Sequence, residues 1–300
     1  DNAGFNLAPV GTGTLQTTGN GNISVIADSI SIHTTNGTIN GSARTVALRQ
    51  KTNRTLIGLG AADAAGTLGL TDAELDRVTA GTLNIGNNDS GAVTVRADIT
   101  RSAATNMALT SGADVTISGR QVNTGRGTLL LHPPASPDAV KPTKSGTDVT
   151  VSTLSFGSDL AIVINGTTVD TDYTQLSVIG IVNVTGVDLV LSGTHSPSSG
   201  QQFIIVNNDG SDAIVGTFNG LPEGATISNF LGSGKNATVT YQGGAGSNDV
   251  VLTVVDPAVT VTVSPASRAE DSGLALTYTF SRNNTTGALA VNFTASGTAD

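Results

Sequence analysis

Short runs of alternating apolar and polar residues recur along the first half of the chain, separated by Gly, Asn, Asp and Ser. Asn22–Ile26, Ser29–His33, Thr82–Ile85, Ala92–Ala97, Met107–Thr110, Val115–Ser118 and Thr128–Leu131 read as half-buried strands. Leu83 and Met107 lie 24 residues apart, Met107 and Leu129 lie 22 apart, and so do Val93 and Val115. Two strand series therefore share one period and are offset from each other. A period of this size points to a solenoid or a propeller. A propeller blade takes about 40 residues or more and usually carries aromatic markers, which are scarce here. The pattern predicts a parallel β-helix instead. Each coil holds two or three short strands, with inward Val, Ile and Leu stacked along the axis. Asn36-Gly37, Asn40-Gly41, Asn87–Gly91 and Ser111–Asp114 supply the corners. At ~4.8 Å per coil, about seven coils over residues 1–157 would make a rod roughly 34 Å long.

Two segments break the rhythm. In Gly66–Ala80, Thr71 stands as an N-cap with Glu74 three residues on and Leu70 and Leu75 as a staple. This predicts one short helix over Asp72–Val78 that shields an edge of the stack. Pro133–Pro142 holds four of the nine prolines and reads as an excursion or linker. Residues 1–148 form the first predicted domain. From Val149 the strands become longer and more apolar: Leu160–Asn165, Gln175–Val184, Val187–Ser192, Phe203–Asn207, Gly216–Phe218, Thr238–Tyr241 and Val250–Val254. Residues 149–256 read as a β-helix continuation and capping module, because uncovered strand edges at the end of a stack pair with other chains. Residues 257–300 begin a third element, with alternation at Val259–Val263, Leu276–Phe280 and Val291–Thr294. It is too short for a complete β-sandwich. The fold class is therefore all-β: a right-handed parallel β-helix (solenoid) with a β-rich capping module and a partial β-sandwich at the C-terminus.

Composition narrows the function. Charged residues are 12% of the chain and aromatic residues 3%; Cys and Trp are absent. There is no disulfide framework, thiolate metal site or thiol nucleophile. A net charge of −9 argues against a nucleic acid partner. No apolar run reaches the ~18–20 residues of a membrane helix, so no membrane span is expected. The Asn-, Thr-, Ser- and Gly-rich, Lys-poor surface points to an extracellular, cell-surface or secreted location. The termini read as those of a processed chain or of a window from a longer one.

Candidate chemistry is sparse. Calcium is the one ion the residues suggest. Ser247-Asn248-Asp249, after Gly243–Gly246, resembles a single glycine-rich calcium repeat, in which Asp249 would be a ligand. Asn207–Asp212 offers oxygens from Asp209 and Asp212 around a glycine turn. Turn chemistry explains both segments as well. Asp170 and Asp172 flank Thr171, where a loop or capping role outweighs metal. His33, His132 and His195 are far apart, and His195 falls in Gly193–Gly200, which reads as a hairpin turn. No nucleophile elbow, zinc-protease motif or phosphate loop is present. Glycosidases need paired carboxylates, and Asp and Arg are too thinly spread to propose a cluster. Arg44, Arg49, Lys51 and Arg54 form a basic group that could hold acidic glycans; a solvated loop between coils is the favoured reading.

Some stretches resemble known families. Leu68–Val78 followed by Thr82–Gly86 resembles coils of filamentous-haemagglutinin-like and autotransporter-like bacterial surface proteins. Tyr173–Val178, Gly186–Leu189, Gly200–Val206 and Gly216–Leu221 resemble the C-terminal part of autotransporter-type passengers. Val261–Pro265, Glu270-Asp271, Leu276–Phe280 and Val291–Thr298 resemble the first half of a Calx-β domain, which implies Glu270 and Asp271 as calcium ligands. The resemblance implies a non-enzymatic structural or adhesive protein, a segment of a long surface fibre whose partner is itself, with strand addition between subunits and surface glycans as further contacts. A carbohydrate-binding or polysaccharide-cleaving β-helix is the alternative.

Overall fold

A computed structural model describes residues 4–7, 11–117, 120–134, 138–142, 148–269, 272–282 and 292–294. The protein is nearly all-β, and most of its strands pair in parallel. The main sheet orders eight parallel strands: Ile23–Ile26, Thr45–Arg49, Thr82–Gly86, Asn106–Thr110, Thr128–His132, Val149–Phe156, Leu176–Asn183 and Gln202–Asn208. A second sheet stacks Leu56–Leu59, Val93–Val95, Val115–Ile117, Val140–Pro142, Leu160–Val163 and Leu189–Ser192, again in parallel. Gly13–Gln16, Gly37–Asn40 and Val78–Thr79 form a smaller third sheet.

The residues spaced 22 and 24 apart are direct partners. Leu83 pairs with Met107, Met107 with Leu129, and Val93 with Val115. The first ladder continues through Leu154 and Val182 to Ile214. Period 2 sends these side chains to one face. Leu83, Leu109, Leu131, Leu154 and Val182 are fully buried, each worth about 1.5–3 kcal/mol relative to exposure.

Val46 also pairs with Leu83, although 37 residues separate them. The surplus lies in one excursion. After Leu56–Leu59 the chain turns at Gly60 (φ +77°), and Thr67–Leu70 pairs in parallel on the N-terminal side of the strand it has just left. A helix follows at Asp72–Leu75. Thr71 Oγ1 accepts the Glu74 N–H at 3.3 Å, and Glu74 Oε2 accepts the Thr71 N–H at 3.0 Å. The helix stops three residues before Val78, because Val78 pairs with Ile39 and the Arg77 carbonyl accepts the Ile39 amide. It lies inside the stack: Glu74 Oε1 accepts the Ile32 amide and Asp72 Oδ1 the Thr100 amide. The excursion adds 13–15 residues to the usual interval of 22–24 (37 − 24 and 37 − 22), and the main sheet has six strands up to Phe156, where the sequence rhythm suggested about seven coils.

Corners repeat one device. An Asp or Asn just before a strand, or at its first position, accepts a backbone amide from the following layer. Asn22 takes the amide of Thr45, Asp98 that of Gln121, Asn106 that of Thr128, Asp114 that of Ala139 and Asp148 that of Ser177, at 2.9–3.1 Å. These oxygens satisfy donors that the ladders do not reach.

Beyond Asn208 the pairing turns antiparallel. Gln202–Asn208 pairs with Asp249–Val255, that strand with Asn236–Gly243, and the latter with Thr226–Ile227. The expected strand at Gly216–Phe218 is instead Ile214–Val215, ended by Gly216 (φ +76°). Tyr241 ties this region together: its hydroxyl accepts the Phe218 amide and donates to the Leu221 carbonyl. Gly193–Gly200 is not a hairpin turn. It joins strands of different sheets, Leu189–Ser192 and Gln202–Asn208. Val259–Ser264 and Thr277–Arg282 form a separate antiparallel ribbon, with Val261 opposite Phe280 and Val263 opposite Tyr278.

Candidate functional site

The structure keeps the three histidines apart. His33 Nδ1 meets Thr35 Oγ1 at 3.0 Å in a turn. His132 ends a main-sheet strand opposite Thr110. His195 Nε2 meets Gln201 Oε1 at 3.0 Å and stands edge-on to Phe203, which also meets Tyr173 edge-on. The three imidazoles sit in three separate neighbourhoods.

Glu270 and Asp271 lie outside the described residues. Asp209, Asp212 and Asp249 are brought into one neighbourhood, where the Gly243–Asp249 turn packs on Asn207–Asp212. Their surroundings are occupied by protein donors. Asp249 Oδ1 accepts the Asn208 amide at 2.8 Å. Asn248 Nδ2 points at the carbonyl oxygens of Asn208, Gly210 and Asp212 at 2.9, 3.0 and 3.1 Å. An amide nitrogen thus fills the centre of the oxygen cluster. Burial raises the Asp249 pKa, and the charge of Asp209 adds to it. Among the described residues no group of three His, Asp or Glu side chains is placed to hold a metal ion.

Asp170 and Asp172 have loop duties. Asp172 Oδ2 accepts the Thr168 amide, and bonds from Thr168 hold its pKa down. Asp170 adopts φ +60°, and its Oδ1 is buried without a partner. Near it Asp148 is 1% exposed. Burial pushes the Asp148 carboxyl up to about 7; the Asp170 charge works in the same direction and the Ser177 amide against it. This buried acid can hold a proton near neutrality, a property that reading the sequence for motifs missed. The pattern of Asp before a β-branched apolar residue at 148–149, shared with 98–99 and 114–115, marks its position.

Arg44, Lys51 and Arg54 lie in exposed turns between strands, as expected, and Arg49 ends a strand. Thr45–Arg49 is a central strand of the main sheet, with Val46 and Leu48 buried. Arg44 reaches back to Asn20 Oδ1. Lys51 lines a cavity of about 550 Å³ with Gly4, Asp28, Ser29, Thr52 and Thr55. The Asp28 carboxylate there already accepts the amides of Lys51 and Thr52 and the Thr52 hydroxyl. Burial raises its pKa, but these bonds outweigh it and leave the group lowered.

Net charge hides a polarity along the chain. Residues 1–148 carry eleven basic and eleven acidic side chains, while residues 149–256 carry one and nine. The strand Leu189–Ser192, in this acidic part, ends its sheet and, among the described strands, pairs with Leu160–Val163. Among the described residues no helix is long and apolar enough to cross a membrane. Comparison with family models, with curated proteins and with solved structures finds no match to the chain.

Proposed function

We propose that this chain is a non-enzymatic, extracellular structural or adhesive protein, one segment of a long surface fibre. In this reading it winds as a right-handed parallel β-helix, with the β-rich region up to 256 as its cap and residues 257–300 as part of a β-sandwich. The supporting observation is the unbroken parallel ladder from Ile23 through Val46, Leu83, Met107, Leu129 and Leu154 to Val182. Parallel connections of this kind are right-handed in nearly all proteins. Hydrogen bonds between layers act together, so such a rod resists bending and proteolysis without disulfides. The surface-protein resemblance in the sequence agrees with this use, and strand addition between subunits would extend the rod.

Negative-stain electron microscopy tests the reading. Elongated particles that associate into filaments are expected. Compact, strictly monomeric particles at all concentrations would refute it. The cavity lined by Ser29, Thr52, Thr55 and Lys51 favours a second reading, glycan binding. A glycan array in which this protein retains a defined saccharide, and loses it on Lys51→Ala, would support that alternative.

A further inference from the structure

We propose that a neutral oligosaccharide binds across the seam between Ile30–Ile32 and Thr67–Leu70, anchored on the Asp63 carboxylate. The proposal rests on the glycan-binding reading above, gives it a site and a ligand chemistry, and is independent of the fibre reading.

The seam is a break in the wall of the stack. The second sheet pairs strand on strand and ends at Thr67–Leu70. Ile30–Ile32 adjoins that strand but belongs to a different sheet, with Phe5–Leu7. The excursion's own turn keeps the two from pairing. Thr67 donates to the Ala64 carbonyl at 2.9 Å and Ala64 to the Thr67 carbonyl at 3.2 Å. The Ala62 backbone lies so close to Gly69 that a Cβ there would come within 2.1 Å of it. Side chains cross the seam instead. Ser29 Oγ donates to Asp63 Oδ2 at 2.7 Å, and Glu74 Oε1 accepts the Ile32 amide at 3.2 Å.

Such a break leaves space on both sides of the crossing. On one side is the cavity of about 550 Å³, where Ser29 meets Asp28, Lys51 and Thr67. On the other is a cavity of about 430 Å³ lined by Asp63 with Ser31, His33, Thr34, Thr71 and Glu74. The Ser29–Asp63 bond joins their walls. Both volumes lie within the roughly 300–1,000 Å³ of small-ligand sites.

The lining selects the ligand. Hydroxyls and carboxylates dominate it, and an apolar occupant would leave them without partners. An anion is disfavoured, because Asp28, Asp63 and Glu74 outnumber Lys51. Among the described residues no three acids are placed to hold a metal ion. A neutral sugar offers hydroxyls that donate and accept at once. Asp63 is exposed and held in place: its Oδ1 takes the Gly69 amide at 2.8 Å and its Oδ2 the Ser29 hydroxyl. Those bonds use two of the roughly four acceptor positions of a carboxylate. The other two suit a pair of adjacent sugar hydroxyls, and bonds to an ionised acceptor are the strong ones. Lys51 and the hydroxyls of Ser31 and Thr34 supply donors for the sugar oxygens.

The test is isothermal titration of the 300-residue chain with trimers to pentamers of glucose and of N-acetylglucosamine, with a sulfated disaccharide as the anionic control. A neutral oligomer should bind at least about tenfold more tightly than the sulfated one. Asp63→Asn can keep both protein bonds, oxygen to the Gly69 amide and nitrogen to the Ser29 hydroxyl, but offers a donor where the sugar needs an acceptor. It should weaken binding about tenfold or more. Circular dichroism checks its fold. Bound oligomer should also slow hydrogen exchange at the Ile32 and Gly69 amides, which Glu74 and Asp63 hold; this readout uses the parent and decides the matter if the variant unfolds. Binding that is lost on Lys51→Ala, unaffected by Asp63→Asn and silent at Ile32 and Gly69 would leave the glycan reading in place and overturn the seam site. Preference for the sulfated sugar would overturn the proposed chemistry. No binding by any of these sugars would overturn the proposal and the glycan reading together.

Discussion

Replacing Arg101 by Met should release the excursion that carries the helix while leaving the rest of the stack in place. Arg101 is 7% exposed. Its guanidinium donates to the carbonyls of Leu75 and Val78, which end the helix and open the following strand. Asp76 lies 3.5 Å away. Burial lowers the Arg101 pKa, against the pull of Asp76 and Asp72, and its Nε is buried without a partner. Each hydrogen bond from a charged donor is worth about 1.5–3 kcal/mol. Met keeps much of the stem packing but leaves both carbonyls unsatisfied. Removing a buried cation that is only partly solvated offsets some of the loss. A net cost of about 3 kcal/mol follows, local to residues 60–80. The Ile39 and Gly41 amides report it, since they donate to the Arg77 and Thr79 carbonyls. Their hydrogen exchange should speed up about 100-fold, with main-sheet amides such as Leu109 unchanged. Unaltered exchange at Ile39 and Gly41 in R101M would refute the clamp. Uniform acceleration throughout would show that the excursion does not open by itself.

Asp148 sets a pH dependence. Its pKa is raised to about 7, so the folded protein keeps a proton that the unfolded chain has lost. The stabilisation is complete below the ordinary carboxylate range and disappears as pH rises to about 7, a change of at most ~4 kcal/mol; Asp148→Asn should flatten urea midpoints across that window and raise them at pH 8. A Cβ on Gly193 (φ +137°) would lie 1.9 Å from the Ile164 carbonyl oxygen; Gly193→Ala should cost about 3 kcal/mol, and a variant of unchanged melting temperature would disprove that close approach. Asn248→Ala takes the side-chain donor from the Asn208 and Gly210 carbonyls, while the Asp212 carbonyl keeps the Asn208 side chain, and should cost about 2–4 kcal/mol; calcium or a chelator should leave the parent's melting temperature unchanged, and a calcium-dependent rise would show that the ion competes for this cluster.

What the sequence revealed is what repeats locally. The 22-residue interval between Met107 and Leu129 is a direct register pair because one circuit of chain brings equivalent side chains together. Thr71 and Glu74 mark a helix start because capping needs only a four-residue span. The insertion of Thr67–Leu70 beneath Leu56–Leu59 was illegible, since both strands look alike and nothing local tells which neighbour each will take. The oxygen-rich turns Asn207–Asp212 and Ser247–Asp249 resembled ion loops for a related reason. Their composition is that of a cation site, but the donor that fills them, Asn248 Nδ2, is identified only when the two turns meet.

The unpaired surfaces of the molecule differ in what they can specify. The ribbon presents Val261, Val263, Tyr278 and Phe280 on one face by the register of its two strands, and these side chains are exposed. An isolated two-stranded ribbon is marginal in water, and its apolar face would accept many partners of similar shape. The Leu189–Ser192 strand differs. It ends its sheet among the described strands, but Asn219 of the same chain takes the Val187 and Gly186 carbonyls beside it. Inside the stack, ladder and corner act together: Asp98, Asp114 and Asp148 each hold an amide of the next layer, and a slip of one residue would turn the apolar faces outward.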